Sequence, residues 1–351
     1  MSSSISSSDP WKRFFRTIAG AAAIAAGALY LFVVLVDPFD ILPLSPPLHR
    51  VPVASNQRYS YPTIARSPKF DSAVFGTSSS RLLRPAVLNP AFGARFANLA
   101  MNDATVYEQT QLFGVFARSH PAPKALIVGL DYRWCVTGPE YQQLTFRSFP
   151  QWMYRKNLWV GYGEMFNLYA VQSAGQLFGI LIGIKKPDQG LDGYTSFVPP
   201  DDTYDHARAQ LHLTTSIPAV PVGTRSGPAS AWEYPAMAPL RAMLKTMPAS
   251  ASKVLFFVPY NRHMLTEPGT EGQAVWDECR RHVVELARDV PHTLVVDFMF
   301  HNPITDDDDN YWDGVHYRIG VGDRLAQDFV AAERGEVSPD YRVLWPPPAG
   351  R

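Results

Sequence analysis

Ser78 follows a short apolar run and stands two residues beyond a glycine, in the stretch Gly76-Thr77-Ser78. Near the other end of the chain, Asp313 and His316 lie three residues apart in Asp313-Gly314-Val315-His316. A hydroxyl, an imidazole and a carboxylate are the groups that nucleophilic acyl transfer needs. The serine attacks, the histidine takes its proton, and the carboxylate fixes the imidazole tautomer. Gly76 lets the backbone turn sharply after a strand, and Gly314 permits the turn that brings Asp313 back to His316. The serine fits a helix N-cap equally well, and Ser80 stands where the lipase nucleophile elbow has its closing glycine. Chemistry therefore requires that the two ends of the chain meet at one place in the fold.

The elements that would bring them there are legible as pattern. Residues 72–75, 95–99, 125–128, 253–258 and 293–297 are short apolar runs bounded by Gly, Pro, Asn or Asp, as buried parallel strands are. Val106, Leu112, Phe113, Phe116 and Ala117 form one helical face after Asn102 and Asp103, either of which can cap it. A second stripe holds Val275, Trp276, Cys279, Val283 and Leu286, and a closing helix is expected over 321–332. The alternation predicts an α/β fold, a doubly wound parallel sheet with its site at the carboxyl ends of the strands. It is interrupted over 134–247 by a large insertion, which is expected to cover the sheet's rim and shape a groove. Within it, 164–184 looks helical; its apolar part, 176–184, is too short to span a membrane and reads as a core helix, with membrane-surface contact the alternative.

The chain has 351 residues, 46% of them apolar, enough for one generous α/β domain or two small ones. Formal net charge is zero, so no basic field attracts nucleic acid. Residues 17–36 carry no charge and, as a helix, reach about 30 Å. Lys12, Arg13 and Arg16 precede them, while Asp37 and Asp40 follow. The positive-inside rule then places 1–16 in the cytoplasm, 17–36 in the cell (inner) membrane as a single-pass anchor, and the main domain on the extracytoplasmic, periplasmic side. The apolar run continues past Ala26-Gly27-Ala28, which fits an uncleaved anchor better than a cleaved signal. Residues 37–68, rich in Pro, Ser and Arg, read as an extended stalk, leaving 69–351 as the domain. Cys135 and Cys279 either pair in an oxidising compartment or remain two buried thiols. No spacing suggests zinc, and the four aspartates at 306–309 read as a solvated loop rather than a calcium site.

Taken together, the serine block and the Asp-x-x-His block resemble the SGNH (GDSL-type) hydrolase superfamily. They are closest to its membrane-anchored extracytoplasmic branch of polysaccharide O-acetyltransferases and D-alanine transfer proteins. Asn98-Leu99-Ala100-Met101-Asn102 is similar to a stretch of that branch, and the resemblance covers roughly 71–136 and 253–332. It implies an SGNH-like (flavodoxin-like) sheet with Ser78, Asp313 and His316 as catalytic residues. It further implies esterase or O-acyltransferase activity on a cell-envelope polysaccharide or related glycan. The partners implied are an acylated glycan or acyl donor and a multi-spanning membrane acyltransferase that delivers the acyl group. Neither metal nor organic cofactor is called for. The alternative is a catalytically silent SGNH-like domain that binds glycan or helps assemble an envelope complex.

In the superfamily a Gly backbone N–H and an Asn side-chain amide complete the oxyanion hole. Asn102 or Asp103 stands near the glycine's place, and Gly129-Leu130-Asp131 puts an Asp in place of the Asn. An ionised Asp131 cannot donate to an oxyanion, and its charge opposes one. Either Asn102 compensates, or burial keeps Asp131 protonated, or Asp131 orients Tyr132, Arg133 or Arg81. Arg81 and Arg84 follow the serine turn, where they can bind an acidic sugar or anchor the loop, with solvation at the surface as the default. Trp152, Tyr154 and Trp159 can stack on sugar rings or pack in the core.

Overall fold

The computed structural model describes residues 8–187 and 190–346. Along the chain, α1 (Ser8–Val36) and α2 (Gln57–Ile64) precede β1 (Ser72–Phe75), α3 (Pro85–Phe92), β2 (Phe96–Asn98), α4 (Val106–Ser119) and β3 (Ala125–Leu130). The inserted region carries α5 (Gly161–Glu164), α6 (Leu168–Leu181), α7 (His206–Thr214) and α8 (Met237–Thr246). Then come β4 (Ser252–Phe257), α9 (Glu271–Arg288), β5 (Thr293–Asp297), α10 (Ile319–Glu333) and β6 (Arg342–Trp345). Two compact units result, one from Met1–Ala54 with Arg155–Asp188 and the other from Ser55–Tyr154 with Gln189–Arg351.

The second unit holds a six-stranded sheet in the order β2-β1-β3-β4-β5-β6. Its first five strands pair in parallel, and every residue of β1, β2, β3 and β5 is buried, as in a sheet covered on both faces. The sheet is mixed rather than wholly parallel, because β6 runs antiparallel to β5. After α10 the chain climbs back along that helix, where Arg324 pairs with Asp340, and so enters the sheet from its carboxyl end. Cys135, at the start of the insertion, and Cys279, in α9, form a disulfide with Cα atoms 5.5 Å apart. That settles the alternative the sequence left open.

The α4 helix is capped by Thr105, two or three residues later than Asp103 or Asn102 would do it. Thr105 accepts from the Glu108 N–H at 3.2 Å while the Glu108 carboxylate accepts from the Thr105 N–H at 3.1 Å. Arg58 of α2 completes this cluster as a fully buried partner of Glu108, and also donates to the Asn102 carbonyl at 3.2 Å. A buried pair of this kind costs about 3–5 kcal/mol when one partner is removed. Residues 37–68 are therefore not an extended stalk over their length. Phe39, Ile41, Leu42, Val51 and Val53 are buried, and α2 forms despite its internal Pro62 because its side chains are needed in the core.

In the first unit, α1 is long and apolar enough to cross a membrane, with a mean hydropathy of 2.3 over its apolar window. Arg50 closes its carboxyl end, donating to the Val36 carbonyl at 2.7 Å. The beginning of the polar segment at 1–16, through residue 7, lies outside the described residues. The helix expected at 164–184 forms as α6 alone, Leu168–Leu181, with Asn167 capping it by accepting from the Ala170 N–H at 2.9 Å.

Candidate active site

The Ser78 turn leaves β1 through Gly76, whose φ of +144° is a conformation that favours glycine. A Cβ on Gly76 would lie 2.2 Å from the Ser80 Oγ, and one on Gly129 of β3 would lie 1.9 Å from it. Ser80 thus fills the space that two glycines leave over β1 and β3, which is how the turn closes without a glycine at position 80. Its hydroxyl is buried with no hydrogen-bond partner among the described residues. A short 3-10 turn, Ser80–Leu82, follows.

The Asp-x-x-His loop precedes α10 and is tied to this turn at several points. Ser79 Oγ donates to the Val315 carbonyl at 2.8 Å, and Tyr317 donates its hydroxyl to the Ser79 carbonyl at 2.7 Å. Gly322 lets α10 approach closely, since a Cβ there would lie 2.6 Å from the Leu82 carbonyl oxygen. Arg84 pairs with Asp323 of α10. Within the loop, the Asp313 Oδ1 accepts from the N–H groups of Val315 and His316 at 3.0 and 2.9 Å.

These ties bring Ser78, His316 and Asp313 together. His316 Nδ1 lies 2.7 Å from Asp313 Oδ2, and His316 Nε2 lies 2.7 Å from Ser78 Oγ. With Nδ1–H donating to the carboxylate, Nε2 is left to accept the serine proton. Burial pushes the Asp313 carboxyl up, but the hydrogen bond and charge of His316 outweigh it with help from the two backbone N–H groups. The net result lies below the ordinary carboxylate value. Asp313 is thus held in the form that stabilises an imidazolium.

Asn102, Asp103, Asp131 and Arg81 surround the neighbouring strand ends. Arg81 is buried, not a solvated surface charge, and donates to the Asn102 Oδ1 at 2.6 Å. That contact fixes the Asn102 amide with its oxygen consumed, so its NH2 is the free donor. Neither this NH2 nor the backbone N–H of Ser78 donates to any described residue. Asp103 adopts a left-handed φ of +53° and accepts from the Tyr132 hydroxyl at 2.6 Å and Arg133 Nε at 3.0 Å. Asp131 does not orient Arg81 or the Tyr132 and Arg133 side chains. It accepts from the Thr77 hydroxyl and from the Arg133 N–H at 2.9 Å. Burial raises its carboxyl to about 6, against the lowering effect of those two hydrogen bonds.

Two participants carried no readable signal in the sequence. Thr77 links the serine turn to Asp131, and Phe197 from the inserted region stands edge-on to His316, with ring centroids 5.0 Å apart. Phe197 also lies under the Arg81 guanidinium at 5.0 Å. It is delivered by backbone pairing of Asp192 with Asn98 at 2.8 Å and by the close approach of Gly193 to the Asn98 carbonyl. Of the aromatics singled out, Trp152 and Tyr154 are buried in the second unit, while Trp159 is exposed on the first. The aspartates at 306–309 are engaged by neighbours, Asp308 by Arg262 at 2.8 Å and Asp306 by His301 at 2.6 Å. Compared with known proteins, the chain matches no family model and no curated sequence.

Proposed function

We propose that this protein is a membrane-anchored serine acyltransferase or esterase of the SGNH type, acting outside the cytoplasm on an acylated cell-envelope glycan. The hydrogen-bonded line Asp313–His316–Ser78, drawn from positions far apart in the chain, carries the reading. The parallel strand order 2-1-3-4-5 is the flavodoxin-like arrangement that the resemblance leads one to expect, and it supports the fold assignment. The apolar α1 supports an anchor, and the Cys135–Cys279 disulfide supports an oxidising compartment.

In the proposed reaction Ser78 Oγ attacks the acyl carbonyl while its proton passes to His316 Nε2. The Ser78 backbone N–H and the Asn102 amide receive the oxyanion, a role in which each donor contributes about 3 kcal/mol. The ester C–O bond breaks, the leaving alcohol takes the proton from His316, and Ser78 holds the acyl group. A glycan hydroxyl or water then gives its proton to His316, attacks the acyl-enzyme, and Ser78 regains its proton.

Labelling with a serine-reactive fluorophosphonate tests this. Wild-type protein is expected to react, and Ser78→Ala and His316→Ala are expected not to; a folded wild type that stays unlabelled would overturn it. Acetyl release to water, compared with transfer to added oligosaccharide, then separates esterase from transferase. The second reading, a silent glycan-binding or assembly domain, draws on Asp131. This carboxyl accepts two hydrogen bonds where the superfamily has a donor amide.

A further inference from the structure

We propose that α6 lies in the headgroup–acyl boundary of the bilayer beside α1, its outward face in contact with lipid chains. The proposal rests on the reading of α1 as a membrane anchor. Residues 165–184 form a run of 20 without a charged side chain, flanked by Glu164 and by Lys185 and Lys186. The helix within that run has 14 residues, or roughly 21 Å, which is short of the ~30 Å hydrocarbon core. It cannot cross, yet its outward face is not built for water. Leu168, Phe178 and Ile182 are exposed on it, and Ile184 beyond its end is 77% exposed. The opposite face, Ala170, Ser173, Ala174 and Leu177, is buried.

Contacts with α1 fix the depth. Phe178 meets Phe32 with ring centroids 5.5 Å apart, and Phe166 meets Tyr30 at 5.9 Å. The Tyr30 hydroxyl also donates to the Tyr162 carbonyl at 2.7 Å. Phe32 and Tyr30 precede the end of α1 at Val36 by about 6 and 9 Å along the helix axis. Earlier residues of α1, such as Ile24, are exposed. If α1 enters the bilayer, its last two turns bring α6 into the outer part of the same leaflet, at the depth typical of interfacial helices. Lys185 and Lys186 then reach toward headgroup phosphates. The sequence pattern alone favoured a core helix. Its outward face is uncharged, with Gln172 the exposed polar side chain among Leu168, Phe178 and Ile182, and it is continuous with the apolar surface of α1, which favours lipid at headgroup depth.

The test uses the full-length chain in phosphatidylethanolamine–phosphatidylglycerol vesicles, with an environment-sensitive NBD label on Leu168→Cys, on Ile182→Cys or, as the anchor control, on Ile24→Cys. The native disulfide is kept oxidised. Labels at 168 and 182 are expected to shift to the blue and to be quenched most by lipid carrying its nitroxide near the headgroup. The label at 24 is expected to be quenched most by a nitroxide near the chain end. Quenching at 24 with unshifted, unquenched labels on α6 would overturn the proposal and leave the anchor standing. Quenching at neither site would overturn both, and quenching on α6 alone would keep the lipid contact and remove the anchor. A blue shift that resists lipid quenching and grows with the protein-to-lipid ratio would assign the face to a second copy of the chain, again overturning the proposal.

Discussion

At the amino end of β4, Lys253 is 1% exposed, and its ammonium group donates to the carbonyls of Pro248, Ala251 and Pro291 at 2.8–3.0 Å. At the carboxyl end of the sheet, buried and half-buried polar groups are not used up. Ser80 Oγ has no partner among the described residues, Asp131 is raised toward neutrality, and the Ser78 hydroxyl faces an imidazole that can take its proton. A lysine whose every proton is spoken for serves the fold. Groups with an unused proton or lone pair store the means to act on a ligand, and Ser79, Tyr317 and the Arg84–Asp323 pair tie together the two segments that carry them.

The sharpest probe of this contrast is Asp313→Asn. It leaves the loop's shape intact but removes the charge that supports an imidazolium, so ester turnover is expected to fall about 10⁴-fold, with little change in melting temperature. Steady-state hydrolysis of an activated acetyl ester measures it. The mirror experiment at the other end is Lys253→Met, which strands three carbonyls. Chemical denaturation is expected to show a loss of about 3 kcal/mol or more, while fluorophosphonate labelling per folded molecule stays unchanged. If Lys253→Met abolished labelling in folded protein, the division of roles between the two ends would fail.

Asp131 gives the smallest and most conditional effect. In the unfolded chain its carboxyl ionises around 3.8, whereas the folded site holds the proton up to about 6. Folding is therefore progressively disfavoured as pH rises between those values, and the loss stays constant above them. Asp131→Asn is expected to be more stable than wild type above pH 6, by at most about 3 kcal/mol, and indistinguishable from it below pH 3.8. Thermal melts across that window measure the difference, and an equal offset at every pH would show that the carboxyl does not titrate as described.

The residues that were readable share a local signature. Ser78 follows a strand and a glycine, and Asp313 and His316 need only one tight loop to meet. The five parallel strands announced themselves as apolar runs bounded by turn residues. What stayed hidden depends on distant pairing. Phe197 reaches His316 only because an irregular segment of the insertion lies along the edge of β2. Ser80 is admitted because Gly76 and Gly129, on different strands, both lack a Cβ. The Pro62 in α2 and the half-buried edge strand β6 each run against the usual pattern, and burial of Arg58 and the Arg324–Asp340 pair override it. No periodicity encodes such arrangements, since each is set by a residue more than a helical turn away.

The Cys135–Cys279 bond makes the polypeptide between them a closed ring, 144 positions around, that includes all of α5 to α8 and β4. A single cut anywhere within that ring opens it without dividing the protein, because the two cysteines still join the pieces. Surface loops of the inserted region can therefore be nicked by a protease while Ser78 and His316, which lie on opposite sides of the cut, stay on one covalent molecule.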